Sequence, residues 1–276
     1  LSALLGSVNQ TFIQETSLSL SIDEEKLQSI QDAMSVQVPE DAEKFGLVTR
    51  VAYEDEVKSL MADELGEDSF DDVTTIGFDD YVKTFTEPYS TDRIAVIVGE
   101  GNIVMGGDEN EAIIGEKYAK EIRKARESSK VKAIVLRINS PGGSITASDM
   151  IWREVALTRG VKPIVASMGT YAASGGYYMA MACDTIVAQP NTITGSIGIF
   201  SILFNLQGFL NNKIGITHDV VNTGDYSDIL TVTRPLSSDE KSIFQRGLER
   251  GYDTFIGKVA EGRGMEKERV ESLAGG

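Results

Sequence analysis

Histidine and cysteine are nearly absent: the 276 residues hold one of each, His218 and Cys183. A single cysteine excludes an intrachain disulfide and leaves the redox compartment open. It lies in an apolar run, which suits a buried structural thiol better than a nucleophile. With one histidine and no grouping of Cys, His and carboxylates, no metal site is expected. Positive charge is short as well. Lys and Arg number 26 against 42 Asp and Glu, a formal net charge of −16. That balance argues against nucleic acid or an anionic membrane surface as a direct partner of this stretch. No apolar run reaches the roughly 20 residues that a membrane helix needs, and no signal-peptide pattern occurs. The sequence starts at Leu1 without Met and stops at Gly275-Gly276 with no obvious end to a fold. It reads as a piece excised from a longer protein, so its lack of a targeting segment carries no weight.

What is present suits a globular chain with room for one large or two modest domains. Residues 1–92 read as mainly helical. Apolar residues at Leu1, Leu4, Leu5, Val8 and Phe12 predict a first helix, and Asp23 a cap for a second over Glu24–Met34. Val38-Pro39-Glu40-Asp41 reads as a turn, and a third helix runs from Asp55 to Leu65, ended by Gly66. Glu67–Asp92, acidic and rich in Thr and Tyr, reads as a linker with a strand or two. From Arg93 strands and helices alternate. Strands are expected at Ile94–Val98, Val131–Ile138, Pro163–Met168, Asp184–Ala188 and Thr217–Val221. Helices are expected at Gly115–Ser128, Thr146–Thr158, Tyr177–Ala182 and Asn205–Asn212. A long one, capped at Ser237-Ser238-Asp239-Glu240, reaches about Glu261. Such repeated β-α units predict an α/β fold with a mostly parallel sheet covered on both faces.

Two loops carry candidate chemistry. In K-P-I-V-A-S-M-G-T-Y-A-A-S-G-G-Y-Y, Lys162 to Tyr178, a buried strand ends near Gly169 and Gly175-Gly176 opens an apolar helix. Ser174 sits at that opening, exposed to a cleft and to the positive end of the helix dipole. Ala172 and Gly176 flank it in a relaxed small-x-Ser-x-small elbow. The same residues also suit plain helix–strand packing. The second loop, Asn139-Ser140-Pro141-Gly142-Gly143-Ser144, has two glycines that let backbone N–H groups face an oxyanion or a phosphate. It lacks the lysine of a phosphate loop and the spacing of a dinucleotide fingerprint. Neighbouring parallel strands deliver both loops to one sheet edge, where acyl transfer needs a nucleophile beside an oxyanion hole. Tyr177 and Met179 suggest a cleft for apolar side chains. For the base, His218 in an alternating strand suits a structural role better than a triad. The remaining option is a lysine in an apolar pocket. Lys213 and Lys241 have polar surroundings and read as solvated.

The segments V-L-R-I-N-S-P-G-G-S, Y-A-A-S-G-G-Y-Y and T-G-S-I-G-I-F, then P-L-S-S-D-E-K through G-R-G-M, resemble the signal peptide peptidase A (protease IV) family. The likeness covers roughly Arg93 to Gly276. It implies the fold shared by the Clp proteolytic subunit and crotonases. It also implies a serine–lysine peptidase that degrades signal peptides, with no cofactor. Family members are anchored in the cell's inner (cytoplasmic) membrane, with the catalytic domain facing the periplasm or exterior. They form homo-oligomers, tetramers in the duplicated members. By motif, Ser174 matches the nucleophile, Gly143 and the Gly175 N–H the oxyanion hole, and Ser196 the serine that orients the catalytic lysine. Short members carry that lysine in a downstream loop. Here the loop reads N-T-G-D-Y-S-D-I-L, with Ser227 at the matching position and no lysine from Ile214 to Glu240. In long members the first half donates its lysine to the second half. Residues 1–92, with G-L-V-T-R-V-A-Y-E-D-E-V-K-S-L, resemble the end of such a first half, and 93–276 the second repeat. The resemblance thus implies a general-base lysine just upstream of Leu1, with Lys26 and Lys44 as weak substitutes. Two other readings of the residues stand beside it. One is a crotonase-like acyl-CoA enzyme or acyl-binding module, which needs basic residues for the CoA phosphates. The other is a structural half that only assembles.

Overall fold

The structure, a computed structural model, describes residues 2–85, 90–108 and 112–275. The chain divides into two units, Leu1–Ser90 and Thr91–Gly276. The first is helical: α1 (Ser2–Leu20), α2 (Glu24–Asp32), α3 (Pro39–Lys44), α4 (Glu54–Leu65), a 3-10 turn at Phe70–Asp72 and α5 (Phe78–Lys83). Asp23 caps α2, its carboxylate accepting the N–H groups of Glu25 and Lys26 at 2.9 and 3.2 Å. The residues read as a turn at Val38–Asp41 instead start α3. Pro39 suits the first helical position, and Asp41 reaches back to the N–H groups of Gln37 and Val38. The linker's expected strands do not form among the described residues, where α5 and the 3-10 turn stand instead; residues 86–89 of it lie outside them.

The second unit is built on a parallel sheet. Its strands and helices are β1 (Arg93–Glu100), β2 (Asn102–Val104), β3 (Ala112–Ile114), α6 (Gly115–Glu127), β4 (Val131–Ser140), α7 (Ile145–Thr158), β5 (Ile164–Ala173), α8 (Gly175–Ala180), β6 (Thr185–Val187) and β7 (Ile193–Gly195). The order is β1-β4-β5-β6, with β7 also pairing β5 and β2-β3 forming a separate pair. All these pairings are parallel. Alternate residues Ile134, Leu136 and Ile138 of β4, and Ile164, Ala166 and Met168 of β5, are buried against Ile122, Ile151, Val155 and Met179 of the helices.

The opposite face departs from expectation. It was expected to be covered, but Ile94, Val96 and Val98 of β1 are 66, 62 and 63% exposed. Handedness explains this. The strand order advances from β1 to β4 to β5 to β6 without reversing, and right-handed crossovers then put every connecting helix on one side. The expected strand at Thr217–Val221 is also absent: those residues are exposed and irregular. Alternating apolar residues make a strand only where another strand offers its backbone. The expected helix at Asn205–Asn212 is a single turn, α9 (Gln207–Phe209), running into a π turn at Leu210–Ile214.

The chain closes with α10 (Ser238–Arg263) and α11 (Lys267–Ala274). Phe255, Ile256, Val259 and Val270 pack with Tyr178 and Met181 of the α8 segment as a second layer. Gly262 lets α10 come close: a Cβ there would lie 2.4 Å from the Met181 carbonyl oxygen. Among the described residues, no helix is long and apolar enough to cross a membrane.

Candidate active site

β4 and β5 end side by side, with Ser140 in register with Ala172. The loops that follow, Pro141–Ser144 and Ser174–Gly176, therefore leave the sheet at the same edge. The first loop is clamped by β2. Ile103 donates its N–H to the Gly142 carbonyl at 2.9 Å and accepts the Ser144 N–H at 2.7 Å. The Ser140 hydroxyl accepts the N–H of Gly142 at 3.1 Å. Gly142 and Gly143 take φ of 109° and 153°, values that side chains other than glycine rarely adopt. A Cβ on Gly143 would also lie 2.1 Å from the Ile103 carbonyl oxygen. These bonds use the N–H groups of Ile103, Gly142 and Ser144. Those of Gly143 and Gly175 have no acceptor among the described residues. The two are neighbours, since a Cβ on Gly175 would stand 3.2 Å from the Gly143 nitrogen.

Ser174 directly precedes Gly175 and lines a cavity with both glycines, its φ 51° and ψ −117°. That is outside the regions open to L-residues, and such strain costs on the order of 1–3 kcal/mol. Its backbone is held on both sides. The N–H donates to the Gly195 carbonyl at 2.9 Å, and the carbonyl accepts the Tyr178 N–H at 2.8 Å. β7 is thus the strap that fixes the turn. It also delivers Ser196, which has φ 48° and lines the same open cleft as Ser174, Gly142 and Gly143. The cleft measures about 350 Å³. A smaller recess of about 20 Å³ opens from Ser174, Gly143 and Gly175 toward Ile145, Ser148, Tyr178, Ile199 and Phe255.

No Lys, Arg or His among the described residues lines either cavity. Lys26, Lys44, Lys213 and Lys241 are exposed. Lys258 lies closer, 5.3 Å from the centre of the Tyr178 ring, but it is bonded to Asp149. His218 is exposed in irregular chain rather than in the expected strand. Ser227 turns its hydroxyl to the Gly224 carbonyl. Cys183 is buried, and burial pushes its thiol up to about 12. Among the described residues no group of three or more His, Cys, Asp and Glu could hold a metal ion.

Of the two residues expected to shape an apolar cleft, Met179 is instead buried in the core under the sheet, and Tyr177 lines neither cavity. Among the lining residues that sequence reasoning missed are Ile145, Ser148, Tyr178, Ile199 and Phe255 of the recess. Ser148 carried a usable signal, lying one helical turn after the loop residue Ser144, whose carbonyl its hydroxyl bonds at 2.9 Å. Phe255 carried none, since only the packing of α10 brings it here.

Residues 156–276 match the family model for Peptidase family S49, and residues 86–194 that for Clp protease. The chloroplastic serine protease SPPA of Arabidopsis thaliana is 35% identical over 285 residues, which take in 100% of this chain and 42% of that protein. Protease 4 of Haemophilus influenzae is 38% identical over 240 residues, 85% of this chain and 39% of that one. A protein of Enterococcus faecium provisionally named signal peptide peptidase SppA is 33% identical over 199 residues, 70% of this chain and 58% of that protein. The chain spans less than half the length of the first two.

Proposed function

We propose, because residues 156–276 match the family model for Peptidase family S49, that this chain is the nucleophile-bearing part of a serine peptidase, with Ser174 as nucleophile. The observation that carries the reading is the pair of unpartnered N–H groups, Gly143 and Gly175, beside a serine held in strained backbone. In the proposed reaction Ser174 Oγ attacks a peptide carbonyl and its proton passes to a base. The carbonyl oxygen, now negative, takes the N–H groups of Gly143 and Gly175. Collapse of the intermediate expels the amine, which takes up the proton, and leaves an acyl-serine that water hydrolyses.

The proposed base is a lysine from outside residues 1–276, oriented by the Ser196 hydroxyl. In this reading residues 1–92 end a first repeat and 93–276 form the second. The substrates are signal peptides at the cytoplasmic membrane, with the catalytic domain on its outer side, and the working form is a homo-oligomer, a tetramer. An acyl-CoA enzyme is less well supported, because no basic side chain among the described residues lines either cavity to meet the CoA phosphates.

The test is labelling of the intact protein by a fluorophosphonate, which captures an activated serine. Covalent labelling at Ser174, lost in Ser174→Ala, is expected. Equal labelling of the variant would remove Ser174 from the mechanism.

A further inference from the structure

We infer that Asn139 is a positioning residue: its side-chain amide holds the bulged end of β5, and so sets Ser174 in register with the loop that carries the Gly143 N–H. This rests on Ser174 being the nucleophile. β4 and β5 match residue for residue from Ile134 with Ile164 to Ile138 with Met168. The match then breaks and resumes at Ser140 with Ala172. One residue of β4, Asn139, thus faces three of β5, Gly169, Thr170 and Tyr171. A bulge of this kind interrupts the ladder and leaves backbone groups of the longer strand to find other partners. Ser174 lies three residues beyond Tyr171, so what fixes the bulge fixes the approach to the serine turn.

The Asn139 side chain fills the gap. Its Oδ1 accepts the Tyr171 N–H at 3.1 Å, standing in for a backbone carbonyl. Its Nδ2 donates to Glu100 Oε1 at 3.1 Å, and Glu100 is its register partner on β1. Gly169 makes room for the amide: a Cβ there would lie 3.0 Å from Asn139 Oδ1. The other edge of the bulge is held from the β7 side. Thr192 Oγ1 donates to the Gly169 carbonyl and Thr194 Oγ1 to the Ala172 carbonyl, each at 2.8 Å. The backbone of Asn139 meanwhile leads through Ser140 into Pro141-Gly142-Gly143. One residue therefore joins the strand of the nucleophile to the loop of an oxyanion donor. Its neighbours specify an amide. The Tyr171 N–H asks for an acceptor and the Glu100 carboxylate for a donor, and Asn supplies both. A carboxylate at this position keeps the first bond but sets a second negative charge against Glu100. A shift of the serine by about 1 Å is enough to cost roughly 10²-fold in rate.

The experiment measures peptide-ester turnover and the rate of fluorophosphonate labelling at Ser174 in the intact protein, both per folded molecule as judged by circular dichroism. Asn139→Ala should lower kcat and the labelling rate by roughly 10²-fold with KM little changed. Asn139→Asp should also be slowed at neutral pH. Asn139→Asp combined with Glu100→Gln should recover most of that loss, because amide and carboxylate have then exchanged places and both hydrogen bonds return. A role in stability alone changes the amount of folded protein and leaves the rate per folded molecule where it was. Should Asn139→Ala fail to fold, the comparison of Asn139→Asp with the double variant decides the matter. A native kcat in folded Asn139→Ala, or a double variant no faster than Asn139→Asp, overturns the positioning role and leaves the peptidase reading standing. Turnover and labelling that survive Ser174→Ala overturn both.

Discussion

At the scale of single residues the site depends on backbone positions that only glycine fills. Gly143 combines φ 153° with the 2.1 Å approach of the Ile103 carbonyl to an added Cβ. In Gly143→Ala the loop must leave β2, and its N–H is displaced from the site. Loss of one oxyanion donor costs roughly 10²- to 10³-fold in kcat. The expected outcome is a fall of that order in the intact enzyme, with KM little changed; an unaltered kcat would remove this N–H from the mechanism. The S-P-G-G-S loop and the serine turn were legible in the sequence because each is local, a run of small residues after an apolar strand. What stayed hidden was the clamp. Ile103 belongs to a three-residue strand too short for a period to show, and it meets Gly143 only through the fold. Phe255 was hidden for the same reason.

Among the elements, α10 bears most on the site, since it presents Phe255 to α8. Its start was legible: Ser237 and Glu240 form a capping box, as S-S-D-E predicts. Its reinforcement was not. Arg234 bridges Glu240 and Asp228, with N–O distances of 2.7 Å to each. The Arg234 guanidinium, aided by the Ser237 N–H, holds the Glu240 carboxyl at about 2 against an ordinary 4.5. A carboxyl depressed by folding stabilises the folded state above its unfolded value, and that contribution fades as pH falls from about 4.5 to about 2. The helix start should therefore loosen across this window. Thermal melts of the native chain should drop more steeply there than those of Glu240→Gln, which has lost the contribution at every pH. Parallel curves for the two would show that the ion pair does not anchor α10. The strands β1, β4 and β5 were legible because each is built on a short apolar run, Ile94–Val98, Ala133–Leu136 and Ile164–Ala166. The strand expected at Thr217–Val221 failed because its pattern has no partner strand to meet.

For the whole molecule, the sheet's one-sided cover leaves apolar residues of β1 exposed, and Phe200, Ile202, Phe204 and Leu230 are exposed as well. The proposed homo-oligomer would bury such surface, which is costly to leave in water. The same reading separates the nucleophile from its base. A serine hydroxyl is a weak nucleophile near neutral pH until a base removes its proton. General-base assistance is worth about 10²- to 10⁴-fold, while an oxyanion hole without it leaves residual catalysis. Residues 1–276 alone, folded as judged by circular dichroism, should therefore hydrolyse peptide esters slower by about that factor than a chain extended upstream through the proposed lysine. In the longer chain, Ser174→Ala should abolish turnover. Ser196→Ala should weaken it less, because it removes only a hydrogen bond that orients the amine. The pH profile gives an independent readout: the longer chain should gain activity as its lysine loses a proton, and the shorter chain should lack that limb. Equal rates and equal profiles would place the base within residues 1–276, and the reading of Ser227 as a vacated lysine position would fall with the two-part site.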